Sequence, residues 1–173
     1  MTRSTLVPIA LALFAAACGS STPTTPTTPT KPTFTADLRT ANENPPITGA
    51  EAGGSGTATI TFDITRDGAN NITAATATFV VNLTGFPAGT PINIAHIHQA
   101  ATGVNGSVVV STSLAAGEVT LASGAGSFTK AGIAVTPVDL VTQIMSNPAG
   151  FYFNAHSTLN PGGVVRGQLV RVQ

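Results

Sequence analysis

Charge is scarce in this sequence: Asp, Glu, Lys and Arg make up only 8% of its 173 residues, and acids and bases balance at 7 each. So even a balance gives no electrostatic means of gathering nucleic acid or an acidic partner. Tryptophan is absent, and much of the apolar fraction is Ala and Val, so the core has to be built from small pieces. A single cysteine excludes an internal disulfide. Familiar catalytic signatures are missing too. There is no Gly-x-Ser-x-Gly elbow and no phosphate-binding loop, and Cys18 is accounted for by its place behind an apolar leader, which leaves no Cys-His pair. Glu43, Glu51 and Glu118 fall in expected loops without visible partners, while Asp37, Asp63, Asp67 and Asp139 each suit a strand, turn or cap. Paired-carboxylate hydrolysis therefore has no support.

Long hydrophobic runs are also lacking. The apolar stretch 6–14 is too short for a permanent membrane span. With Arg3 before it and Ala15-Ala16-Ala17 after it, residues 1–17 read as an export signal. Small residues directly ahead of Cys18 resemble the bacterial lipobox, with Ala15 where Leu is usual. The resemblance implies that Cys18 is lipidated and becomes the new N-terminus. Residues 18–33 then form a Ser/Thr/Pro-rich linker, too extended to build a core and suited to hold a domain clear of lipid. The expected location is the cell envelope, anchored through Cys18. Gly19 supplies no Asp-type inner-membrane retention signal, which favours the outer membrane. Asn71 and Asn82 head Asn-x-Thr sequons, relevant only in a eukaryotic secretory pathway, against which the lipobox argues.

What is abundant is Thr, Ser, Val, Gly and Asn, a composition for strands and turns. Residues 34–173 read as one domain. Ala58, Ile60, Phe62 and Ile64 alternate with Thr57, Thr59, Thr61 and Asp63, and Ala75, Ala77, Phe79, Val81 and Leu83 alternate in the next strand. Asp67-Gly68 between them predicts a hairpin. Thr136-Pro137-Val138-Asp139 predicts a helix start with Thr136 as cap, and Asn147-Pro148 stops it. The last strand is expected over 164–172. The fold class is therefore all-β, an antiparallel β-sandwich of immunoglobulin-like or superoxide-dismutase-like Greek-key type with one short helix.

The 3 histidines of the chain lie in two such strands. His96 and His98, two apart, project to one face, while Ala95 and Ile97 project to the other. In the segment 151–156, Phe151, Phe153 and Ala155 form an apolar face, and Tyr152, Asn154 and His156 the opposite one. If the strands are neighbours, three imidazoles converge on an outer, polar face.

Asn42-Glu43-Asn44-Pro45-Pro46, Ala95-His96-Ile97-His98, Gly103-Val104-Asn105-Gly106, Phe153-Asn154-Ala155-His156, Asn160-Pro161-Gly162-Gly163 and Arg166-Gly167-Gln168 occur in that order. The ordered set resembles the CHRD (chordin-type) domain over essentially all of residues 34–173. The pattern departs from the family at Gln99-Ala100, Ser107 and Val164. The family includes an extracellular growth-factor binder and many bacterial secreted proteins, and membership does not by itself fix an activity.

Imidazole is the usual side-chain ligand of copper and zinc, so His96, His98 and His156 are the candidate metal ligands. Tyr152 and Asn154 are expected as outer partners, with Arg166 and Gln168 on a common face of the last strand. The His-x-His strand is similar to the copper-side strand of copper/zinc superoxide dismutase, but a complete site of that type needs more histidines than this chain has. The leading expectation is a non-enzymatic envelope binding module that takes copper or zinc, or another ligand, at the three histidines. Alternatives are a copper-dependent redox enzyme with an open metal position, and a structural or adhesive domain whose histidines only brace the fold. A protein or glycan partner is left open, and no catalytic residue is assigned.

Overall fold

The computed structural model describes Met1 and residues 31–173; the expected signal peptide, Cys18 and nearly all of the linker lie outside the described residues. The first strand, β1, runs Thr33–Arg39, followed by β2 Ser55–Arg66, β3 Ile72–Thr84, β4 Thr90–Gln99, β5 Ser107–Ser111, β6 Val119–Leu121 and β7 Gly126–Ala134. Helix α1 spans Asp139–Ser146, and β8 Phe151–Ser157, β9 Val165–Gln168 and β10 Val170–Arg171 complete the chain. The alternating sequences of β2 and β3 form the longest ladder, with Ala58 opposite Val81 and Ile60 opposite Phe79. Asp67 closes their hairpin by accepting from the backbone N–H groups of Ala69 and Asn71 at 3.0 and 2.8 Å.

All pairings are antiparallel and join the strands into one sheet, ordered β5-β4-β8-β9-β1-β2-β3-β7, with β10 on β1 and β6 on β4. The sheet curls until β6, carried by β4, approaches β7, so the barrel-like ring is nearly closed. Ala36, Leu38, Ile60, Phe62, Phe79, Val81, Ile97 and Phe153 fill its interior. Phe34 meets Phe62 edge-on with ring centroids 5.8 Å apart, and Phe79 lies 6.0 Å from Phe153. Each such buried side chain contributes roughly 1.5–3 kcal/mol of transfer free energy.

Helix α1 covers part of this core with Leu140, Val141 and Ile144. Its N-cap is Val138 with no side-chain cap, so Thr136 does not play the capping role its sequence suggested. The expected last strand is divided at the buried Leu169 into β9 and β10.

The larger difference concerns β8. Alternation predicted one buried and one polar, outer face, yet every residue of this strand is buried. The loops at 40–46, 101–106 and 158–163 fold back over the outside of the sheet where β4, β8 and β9 lie side by side. A polar residue under such a cover needs internal partners, and the sequence supplies them from those same loops.

Candidate metal centre

Strand register brings the histidines together. In the β4–β8 ladder Ile94 faces His156, His96 faces Asn154 and His98 faces Tyr152. Side chains two apart share a face, so His96, His98 and His156 stand on one patch outside the barrel. One ligand nitrogen from each ring lies within 4.8 Å of the others. His96 Nδ1 and His156 Nε2 are 3.4 Å apart. Two nitrogens bound at about 2.0–2.1 Å to a tetrahedral ion stand about 3.3 Å apart, so this pair already has coordination spacing.

The outer loops set the tautomers. His98 Nδ1 lies 3.0 Å from the carbonyl oxygen of Gly106, and His156 Nδ1 lies 2.9 Å from that of Pro161. A carbonyl only accepts, so each Nδ1 carries the proton and each Nε2 presents a lone pair. Backbone carbonyls holding the far side of ligating imidazoles are a regular feature of metal sites. His156 Nε2 has His96 as its neighbour, but His98 Nε2 is buried without any hydrogen-bond partner.

Burial favours the neutral form of all three rings. Burial lowers the His96 pKa from 6.5 to about 4, with further lowering from His156 and His98. Burial likewise lowers His98 and His156; the bonds to Gly106 and Pro161 oppose it, and the nearby Arg166 charge adds to it. Neutral imidazole is the ligating form. His98 and His156 are buried, whereas His96 is partly exposed, so the cluster opens to solvent on the His96 side.

Behind the histidines stands a stacked column. The Tyr152 ring lies parallel to His98, centroids 4.8 Å apart and planes 6° from parallel. The guanidinium carbon of Arg166 sits 4.5 Å from the Tyr152 centroid. The Tyr152 hydroxyl accepts from the Gly106 N–H at 3.2 Å, so Gly106 is tied to Tyr152 by its nitrogen and to His98 by its oxygen.

Arg166 is 4% exposed and fully engaged. Its Nε and Nη2 donate to Glu43 Oε2 at 2.7 Å, Nη2 also to Asn105 Oδ1 at 2.7 Å, and Nη1 to the Val104 carbonyl at 3.3 Å. Asn154 Nδ2 donates to the other Glu43 oxygen at 2.6 Å. Burial raises the Glu43 pKa, while its bonds with Arg166 and Asn154 pull it back. Glu43 is thus the central acceptor of a buried network, although it looked unpartnered in sequence. Asn44 and Asn105 knit the covering loops together, with Asn44 Nδ2 donating to the Gly103 carbonyl and Asn105 Nδ2 to the Asn44 carbonyl, each at 2.8 Å.

Glu51, likewise read as partnerless, is 3% exposed. Its Oε2 accepts from the Ser157 hydroxyl and from Asn160 Nδ2, both at 2.6 Å. Those bonds fix the turn that carries the Pro161 carbonyl to His156. Gly163, at φ +133°, passes so close to Asn154 and Glu43 that a Cβ there would lie 2.5 Å from Asn154 Nδ2. A signal for both acids was available: Glu43 and Glu51 are acids in segments otherwise made of turn residues, in a chain with few acids to spare.

Of the residues expected around the site, Tyr152 touches His98, Asn154 and Arg166 meet at Glu43, and Gln168 stands apart. Gln168 Nε2 donates to the carbonyls of Ala149 and Ala100 at 2.7 and 3.1 Å, tying two loops rather than a histidine. Cys18 lies outside the described residues.

The family model described as the CHRD domain matches residues 34–169, which takes in every residue of the cluster and of its covering loops. No curated protein and no solved structure was found to match the chain.

Proposed function

Because the chain belongs to the CHRD domain family, we propose that it is a non-enzymatic binding module of the cell envelope whose ligand is a copper or zinc ion held by His96, His98 and His156. The observation that carries this reading is the His98 Nε2 lone pair, buried without a partner beside two further ring nitrogens. An unsatisfied buried polar atom costs about 1–3 kcal/mol. An ion among the three nitrogens removes that cost. Rings already neutral and fixed by carbonyls at Nδ1 bind without first losing a proton at Nε2 or searching for orientation. His96 alone has to move its proton, from Nδ1 to Nε2, and its partly exposed ring makes that easy.

The export signal, the lipidated Cys18 and the Ser/Thr/Pro-rich linker expected from the sequence would complete the reading: the domain would stand off a membrane, the outer one by preference, and work at the surface it faces. A protein or glycan partner there is compatible with it.

A second reading draws on the same contacts. The bonds of His98 to Gly106 and His156 to Pro161, with His96 against His156, brace strands to loops whether or not an ion is present. Titration of the full chain, purified in detergent without a histidine tag, with Cu(II), Cu(I) and Zn(II) separates the two. One-to-one binding lost in His96→Ala and His156→Ala supports the metal module. No binding, with both variants melting at lower temperature, supports bracing alone. Turnover of superoxide or peroxide by the copper-loaded chain would instead move the assignment to a redox enzyme.

A further inference from the structure

We infer that the ion held by the three histidines completes its coordination with a monodentate anion from outside the chain, a class that includes a carboxylate. This rests on the metal reading above and concerns the fourth position. Tetrahedral copper or zinc with three nitrogen ligands leaves one position open. No carboxylate joins the histidine cluster among the described residues. The acids of the chain are committed elsewhere. Glu43 is held by Arg166 and Asn154, and Glu51 by Ser157 and Asn160. Glu118 pairs with Lys130, Asp63 with Lys31 and Asp37 with Arg39. Asp67 is bound into the β2–β3 turn, and Asp139 sits in the first turn of α1.

Three neutral imidazoles therefore leave a divalent ion with its full charge. The fixed cation behind Tyr152, Arg166, is matched by Glu43, so this column brings no spare negative charge to the site. A dication in partly buried surroundings without a counter-charge is costly, and an anionic fourth ligand removes half of that charge.

The direction of approach is also determined. His98 and His156 are buried beneath the loops, and His96 is the ring open to solvent. Directly opposite it on β5 stands the exposed Ser111, and two exposed aliphatic side chains flank the cluster. Ile94 is opposite His156 in the β4–β8 ladder, and Val108 is opposite His98 in the β4–β5 ladder. The aliphatic pair offers no hydrogen bonds and partly excludes water from the bound anion; the Ser111 hydroxyl, which accepts from the Ser113 N–H, can donate to it, and the metal supplies the charge that recognises it. A free small anion and a carboxylate on a larger molecule share this chemistry.

The full chain loaded with one equivalent of Cu(II) would be titrated with azide, followed by visible absorption and electron paramagnetic resonance. A saturable azide-to-copper charge-transfer band at one azide per copper is expected, and acetate should reverse it. Val108→Asp, which sets a carboxylate beside the site, should keep copper but weaken azide at least tenfold. Ile94→Asp provides the same test on the other flank should the first variant fold poorly. Copper bound one-to-one with no azide band would overturn the inference while leaving the metal reading standing. An azide band that acetate does not reverse would remove carboxylates from the class. Failure of copper to bind would overturn both.

Discussion

His98 and Gly106 hold each other in place: the ring donates from Nδ1 to the Gly106 carbonyl at 3.0 Å, while the Gly106 N–H reaches the Tyr152 hydroxyl stacked beside that ring. The position allows no side chain, because a Cβ on Gly106 would lie 2.1 Å from the Gln99 carbonyl oxygen. Gly106→Ala must displace backbone at the β4–β5 turn. We expect a loss of about 1–3 kcal/mol in stability and a roughly 10- to 100-fold weaker metal site. Thermal melts and Cu(II) titration of the same preparation check both. Unchanged affinity would show that the Gly106 carbonyl does not orient His98.

Glu43→Ala leaves Arg166 buried without its counter-ion. Breaking one side of a buried pair costs about 3–5 kcal/mol, and denaturant midpoints measure it. The double variant Glu43→Leu with Arg166→Met should recover much of the loss, since well-packed apolar replacements of a buried pair are often neutral. No recovery would mean that the pair also holds the loop through Asn105 and the Val104 carbonyl.

Glu51→Ala strips the Ser157 hydroxyl and the Asn160 amide of their acceptor. A destabilisation of about 1–3 kcal/mol is expected. The Pro161 carbonyl is then less firmly placed at His156, so metal affinity should fall although no ligand is altered. If titration finds full affinity together with the expected destabilisation, the 157–163 turn supports the fold and not the site.

For the metal-free chain, stability should decline as pH falls from about 6.5 toward 4. His96 has its pKa lowered from 6.5 to about 4, so across that window the unfolded state binds more protons than the folded one. His98 and His156, also lowered, act in the same direction. Glu43, with its pKa raised, opposes them near the carboxylate range. Urea midpoints at stepped pH would reveal a slope that flattens in His96→Ala. An equal slope in the variant would show that His96 is not depressed. With metal bound, the same acid range should release the ion as protons compete for the nitrogens.

Much of the β framework was legible from period-two alternation. The inward sets of β2 and β3 are buried as the pattern predicts, and the His-x-His strand and its Phe-Asn-Ala-His partner pair side by side. Local signals fixed these because a strand with one buried face writes that face into every second residue. The helix follows from its Pro and Asn-Pro boundaries, but it begins at Asp139 behind Val138, two residues later than a Thr136 cap requires, and has no side-chain cap.

The cover over the site was not legible. Glu43 and Glu51 are joined to Arg166 and Asn160 across more than a hundred residues of chain, and no short-range pattern encodes such a meeting. Alternation on β8 spoke only for the sheet; it was silent about loops folding onto the other face. The sequence by itself determined which residues share a face: His96 with His98, and His156 with Asn154 and Tyr152. Only the tertiary structure decided that these two rows adjoin, that they lie under loops and that their Nδ1 protons are held. Register along one strand is a local, two-residue property, whereas burial, tautomer and charge balance depend on what distant segments bring to the same few ångströms.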